Sequence, residues 1–396
     1  MSAIEYWLWL STAENVSCRA KALLLERYGD AEAAYFAPDG ELGRTEGIGP
    51  TEAAVLERRD KSAAARVLEE CARQNIRVVT MQDAAYPKRL KNIYAPPAVL
   101  YVKGALPAID EEPAVAVIGT RRPSPYGLKM GRDMAYQIAA CGGTVVSLLT
   151  AGIDAEAARG ALLAGGRCIG VLGTPHELCQ GRLAEDVCAS GGLISEYAPG
   201  MTPFKSFFRE RNRIASGLSL GVVVIEAPEK SGTRLFAAEA AEQGKEIFAL
   251  PGNADAANSA GTLALLKEGA RLVTRGDEVM SEFEALYPDK IRLRISAAPP
   301  EEKEKAAPPA AVSVKKGVDK EKSKGYIDWK EQLASLTEDQ LKIITTIDKS
   351  ASHIDDIIEA TGLPAAKVLA QLTVLEIKGY VRREAGRRIA LNTAKK

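Results

Sequence analysis

Seven short runs between Ala114 and Thr274 are apolar at nearly every position: "AVAVIG", "GTVVSLL", "RCIGVLG", "GLISEY", "LGVVVIEA", "KEIFALPG" and "ARLVT". A strand with one wet face would alternate apolar and polar residues; continuous runs of this length belong to strands covered on both faces. Amphipathic or alanine-rich segments such as "LKMGRDMAYQIAACG" and "TRLFAAEAAEQG" separate them. Each strand is therefore followed by a helix that carries the chain back over the sheet. The fold class expected is α/β, a doubly wound parallel sheet whose ligands lie outside the carboxyl ends of the strands.

A chain of 396 residues exceeds a single core, so further domains flank the sheet. Residues 1–90 read as short helices, among them "SCRAKALLLERYG" and "SAAARVLEECARQN". The turn "GIGP" before Thr51 resembles the hairpin of helix-hairpin-helix modules, whose amides can face a phosphate, and reads equally as a plain interhelical turn. Residues 91–290 carry the sheet. Residues 291–328, rich in proline, alanine and mixed charge, form a flexible linker. Residues 329–396 give three helices and two short strands around Glu384-Ala385-Gly386, a winged helix, with Thr337 and Ser352 as expected N-caps. Its end is basic, and its third helix exposes mainly Lys367 and Gln371, too few groups to read bases.

Several classes of function are disfavoured. No apolar run approaches the ~20 residues that span a bilayer, and "MSAIEYWLWL" has Glu5 and no basic flank, unlike a leader; a cytoplasmic protein is expected. Six cysteines without a C-x-x-C pair and two histidines give little support to a metal site. Neither G-x-G-x-x-G nor a P-loop occurs, so no nucleotide cofactor is expected. No catalytic constellation is visible. His176 lacks an evident partner, and Glu196 and Glu226, at strand ends, suit charge pairing or sugar hydroxyls better than base catalysis.

Binding residues gather in three loops that follow strands. The first, "VIGTRRPSPYG", offers Gly119, Thr120 and Arg121 to an anion. The second opens a helix at Ser231-Gly232-Thr233, where hydroxyls and free amides can cradle phosphate. The third is "ALPGNADAANSAGTLALL". Beside them stands "PFKSFFRERNRIASGL", in which rings and cations crowd together although the whole chain balances 52 Lys+Arg against 52 Asp+Glu. On a helix Lys205 and Phe208 are neighbours: the ammonium suits a phosphate, and the ring suits an unpaired base. Arg211, Asn212 and Arg213 read equally as contacts or as scaffold tying the helix to the sheet, and Phe204 and Phe207 read as core.

Taken in order, "AVIGTRRPSPYG", "GID...ARGAL", "LISEYAPG", "FKSFFRERNRIASGLS", "VVVIEAPEKSG" and "FALPGN...SAGT..LLKEGA" closely resemble the bacterial DNA-processing protein A (Smf) family. The resemblance implies a Rossmann-like domain that binds single-stranded DNA, dimerises, and helps load the RecA recombinase in natural transformation and recombination, without enzymatic activity, cofactor or membrane. Family contacts carry over to Arg121, Ser147, Lys205, Phe208 and the Arg211-Asn212-Arg213 run. Five places depart from the family pattern. Ser147-Leu148-Leu149-Thr150 replaces Ser-Gly-Leu-Ala, Ala158 replaces a histidine, Phe236 a small hydroxyl residue and Leu263 an asparagine, and the loop "TPHELCQG" is shortened. Leu148 where glycine is usual would hold phosphate off the backbone, so the expectation is a divergent member with a partly closed pocket. Two other readings remain: a nucleotide-derivative enzyme similar to the cytokinin-activating phosphoribohydrolases, and a nucleotide sensor signalling through the winged helix.

Overall fold

The computed structural model describes residues 3–293, 338–347, 352–377, 381–384 and 388–391. They belong to two compact units, Met1–Lys305 and Ala306–Lys396. Most of the stretch read as a linker lies outside the described residues, as do Thr337 and the Ala385-Gly386 turn.

The first unit is built on nine strands: β1 Ile76–Thr80, β2 Val99–Gly104, β3 Ala114–Ile118, β4 Thr144–Ser147, β5 Cys168–Leu172, β6 Gly192–Ser195, β7 Gly221–Val224, β8 Glu246–Ala249 and β9 Arg271–Leu272. Their order across the sheet is β1-β2-β6-β5-β4-β3-β7-β8-β9. From β6 to β9 every pairing is parallel. Strand order runs outward in both directions from β3, with β4 on one side and β7 on the other. That is the switch point at which doubly wound sheets open a crevice.

All five residues of β3 are buried, and they divide by parity as a pleated strand must. Val115 and Val117 enter one core, with the helices Pro125–Ala140 and Ile153–Leu163; Ala114, Ala116 and Ile118 enter the other, with Asn212–Leu218 and Gly232–Glu242. The helix Pro125–Ala140 starts where Ser124 Oγ accepts from the Gly127 amide and proline occupies the first turn, and it ends before Gly142 at φ +90°.

Residues 1–90 do not read out as helix throughout. β1 lies within them and pairs antiparallel with β2, which pairs antiparallel with β6. β2 joins two cores: Leu100 and Val102 face the sheet core, while Val99 and Tyr101 face the N-terminal helices. Tyr101 Oη and Ser11 Oγ are 3.0 Å apart in that seam. The "GIGP" turn is an interhelical turn, because Glu52 closes it. That carboxylate accepts from the Gly49 amide at 3.0 Å and from the Ser17 amide at 2.9 Å, leaving a negative charge where a phosphate would have to come.

The second unit has the helices Glu338–Thr346, Ile354–Thr361 and Ala365–Ile377 and the strands β10 Ser352–His353, β11 Val381–Glu384 and β12 Arg388–Leu391, sheet order β10-β12-β11. Ile343, Ile357, Leu372, Val381 and Ile389 share its core, a winged helix. Ser352 is in a strand and not a cap; the next residue, His353, caps the helix by accepting from the Asp355 amide. Lys367 is held by Asp339 at 2.7 Å and Gln371 by Gln340 at 2.8 Å. Among the described residues no helix is long and apolar enough to cross a membrane.

Helices Pro125–Ala140 and Ile153–Leu163 cross closely because Gly160 has no side chain: a Cβ there would run into the Arg132 carbonyl. Gly160→Ala is expected to destabilise the protein by about 1–3 kcal/mol through forced separation of the helices, measured as a lower denaturant midpoint at unchanged slope.

Candidate functional site

Outside the carboxyl ends of β3, β4 and β7 lies a groove of about 910 Å³. All three loops singled out from the sequence reach it. The first contributes Gly119 to Arg122, the second Lys230 to Thr233, and the third Asn258. Asn258 Nδ2 donates to the Arg122 carbonyl at 3.1 Å and to Glu226 at 3.3 Å, which ties the third loop to the first. Glu226 also accepts from the Ser124 amide at 2.9 Å and from Ser124 Oγ. It is therefore a buried staple rather than a base facing the groove.

The segment Pro203–Leu218 closes the other side. It does not form one helix. A short helix spans Phe207–Glu210, and a second spans Asn212–Leu218. Lys205, Phe208 and Arg209 line the groove. Phe208 is 46% exposed, with its backbone and ring edge resting against Gly173. Phe204 is not core: at 55% exposed it precedes the first helical turn, so the spacing that would bury it does not apply. Phe207 is half-buried and stacks on Tyr197 with ring centroids 3.7 Å apart.

Burial decides between contact and scaffold for the next three residues. Arg211 is 3% exposed and donates through Nη1 to the Leu148 and Val171 carbonyls, both at 2.9 Å. Arg213 lies behind the groove and makes two bonds to Glu196 at 2.6 and 2.7 Å. Asn212 lines the groove but is buried. Arg213 is thus withdrawn from the set of groove residues. So is Ser147, fully buried, whose Oγ donates to the Asp154 carbonyl at 2.8 Å and accepts from the Leu149 amide. Gly119 reaches the groove, yet its amide is committed to Asp154 Oδ1 at 3.2 Å.

Exposed cations remain at Arg121, Arg122, Lys205, Arg209 and Lys230, of which Arg209 lies 3.7 Å from Glu239. At the start of the helix Gly232–Glu242, Ser231 Oγ caps the Arg234 amide. The Gly232 and Thr233 amides precede any intrahelical acceptor and point with the positive end of the helix dipole. The groove floor is apolar where Leu148 and Phe236 line it, and Phe236 is 1% exposed. Strain falls one residue beyond Leu148: Leu149 has φ +51°, in the left-handed region.

Asp154 escaped notice in the sequence, although it follows the glycine of "GID" and that placement was the available signal. It is 2% exposed at the groove floor, bonded to the Gly119 amide and to Thr150 Oγ1. Burial raises its pKa to about 6, with Thr150 and Arg211 pulling the other way. Lys230 and Arg122 were also missed, as exposed neighbours of motif residues.

Three comparisons bear on these observations. The family model described as DNA recombination-mediator protein A matches residues 77–284, and that of the DprA winged helix domain matches 330–387. The chain is 31% identical to Protein Smf of Synechocystis sp. over 97% of both chains. It is 39% identical to the DNA processing protein DprA of Streptococcus pneumoniae over 51% of this chain and 72% of that one. The X-ray structure of DNA processing protein A from Streptococcus pneumoniae superposes with a TM-score of 0.62 at 30% identity, covering 71% of this chain and 98% of that one.

Because the folded pKa of Asp154 lies above the ordinary 3.8, ionising it opposes folding. Its contribution to stability is greatest below pH 4 and is lost as pH rises toward 6. Asp154→Asn should remove this component, raising stability at pH 7 relative to pH 4 by on the order of 2 kcal/mol against the unmodified protein. Urea unfolding of both proteins at the two pH values measures the difference.

Proposed function

This chain belongs to the DNA recombination-mediator protein A family, and on that premise we propose that it holds single-stranded DNA in the groove at the carboxyl edge of its sheet. The observation that carries the reading is the exposed pair Lys205 and Phe208 on one rim, faced by Arg121, Lys230 and the start of the helix Gly232–Glu242. Among the described residues that line it, cations outnumber the acid Asp154, so the groove draws a polyanion. A half-exposed ring gives any base a face to stack on. A single strand is favoured over a duplex because an unpaired base has that face free.

The protein binds rather than transforms in this reading. The acids with the best claim to act as bases are engaged: Glu196 with Arg213, Glu226 with Ser124 and Asn258. His176 is buried, with Nε2 2.8 Å from the Tyr101 carbonyl. The family relationship extends the proposal to presentation of the strand to the RecA recombinase, as a homodimer, in recombination and DNA uptake. An apolar floor at Leu148 and Phe236 supports a path for the phosphates along the rim rather than deep in the pocket.

Titration of oligothymidine at two salt concentrations tests the proposal. Phe208→Ala should weaken binding by about 1–3 kcal/mol. Lys205→Ala should lower the slope of log affinity against log salt by about 0.7, one phosphate's share on a single strand. Unchanged affinity in both variants would remove the groove from the function.

A further inference from the structure

The helical turn Phe207–Glu210 is a partition. Lys205, Phe208 and Arg209 line the groove on one side, while Phe204, Phe207 and Glu210 line a second cavity of about 320 Å³ on the other. The second cavity is closed by the N-terminal segment around Cys18 and Lys21 and by Glu196-Tyr197 after β6. Its volume is at the lower end of small-ligand pockets, roughly 300–1,000 Å³, which admits a base or nucleoside and no length of strand.

Its walls carry two kinds of chemistry. One wall is aromatic: Tyr197 and Phe207 stack at 8°, and Phe204 stands edge-on to Phe207 at 5.4 Å and 77°, with half of its own surface open. The polar end brings acids near a lysine. Lys21 Nζ donates to the Ser11 carbonyl at 2.7 Å, and Glu210 accepts from Tyr197 Oη at 3.3 Å. Burial lowers the Lys21 pKa, while Glu196 and Glu210 are close enough to pull it back up. With Glu196 held by Arg213, the lining carboxylates of Glu14 and Glu210 still outnumber Lys21, the reverse of the groove. A phosphate is drawn to one side of the partition and repelled from the other.

We propose that this cavity is a nucleobase pocket, taking an unphosphorylated base whose edge carries both an amino donor and a carbonyl acceptor, as guanine and cytosine do and thymine does not. Glu210 accepts from the amino group, Lys21 donates to the carbonyl, and the ring lies against Phe204 and Phe207. A carboxylate accepting from a base amino group is a recurrent pairing. Such a base has two possible sources: one turned out of the strand in the neighbouring groove, which breaks no base pair, or a free nucleoside. The first source rests on the proposed strand binding; the second does not.

The test uses the full chain with two sets of probes: free guanosine, cytidine and thymidine, and oligothymidine with or without one central dG or dC. One dG or dC is expected to tighten oligomer binding by about tenfold, and Glu210→Ala and Phe204→Ala are each expected to abolish that gain while leaving plain oligothymidine affinity unchanged. Saturable guanosine or cytidine binding that Glu210→Ala removes, without a gain in the oligomer, would assign the pocket to the free nucleoside. The proposal is overturned if neither set prefers guanine or cytosine to thymine, or if the preference survives both substitutions. Failure of oligothymidine itself to bind would sink the groove reading and leave the nucleoside set to judge the cavity.

Discussion

The arrangement of the groove depends on a guanidinium that scarcely meets solvent. Arg211 reaches beneath Pro203–Leu218 and donates to the carbonyls of Leu148, just past β4, and Val171, in β5. Carbonyls at the carboxyl end of a parallel sheet have run out of ladder partners, so they need a donor. The chain supplies one from the segment that must be anchored there. Burial lowers the Arg211 pKa to about 10, with the charge of Asp154 opposing that fall, so the group stays cationic at neutral pH. The same contact that satisfies the strand ends thereby places Lys205 and Phe208 on the rim.

The acids complete this arrangement. Glu196 is matched to Arg213 and Glu226 to Ser124 and Asn258. Glu196 has its charge matched by Arg213, whereas Glu226 accepts hydrogen bonds from neutral groups and ties the first loop to the third. Breaking a buried ion pair from one side leaves an unmatched charge and costs more than the pair contributes, so Glu196 and Arg213 are coupled. The lining of the groove is mainly positive, and a protein of zero formal charge can still attract a polyanion at one edge.

Much of the fold was legible, for a physical reason. β3 to β7 are buried at every position, and burial on both faces writes itself as uninterrupted apolar sequence. β1 and β2 escaped because "NIRVVT" and "AVLYVKG" each stand alone, without the strand-helix alternation that identified the others; their antiparallel pairing is a long-range fact. The three loops were found because strand ends and helix starts punctuate the sequence. Their inward and outward residues were harder. In Arg211-Asn212-Arg213 the side chains are chemically matched, and only the direction of the helix Asn212–Leu218 decides which faces the groove. Phe204 was misplaced because helical spacing was extended three residues before the helix begins.

The substitutions on the floor acquire meaning from this geometry. Leu148 and Phe236 border the groove and also pack against the sheet core, so they fill space from below without blocking the rim. Phosphate cannot sink to backbone amides under an apolar floor, since its desolvation there would go uncompensated. It can rest against Arg121, Lys205, Lys230 and the amides of Gly232 and Thr233 while keeping part of its hydration. A strand held this way is held by charge and by stacking on Phe208, forces that do not distinguish one base from another. Any preference among bases must then come from a place that excludes phosphate, and in this chain the acidic, ring-lined cavity behind the same helical turn meets that condition.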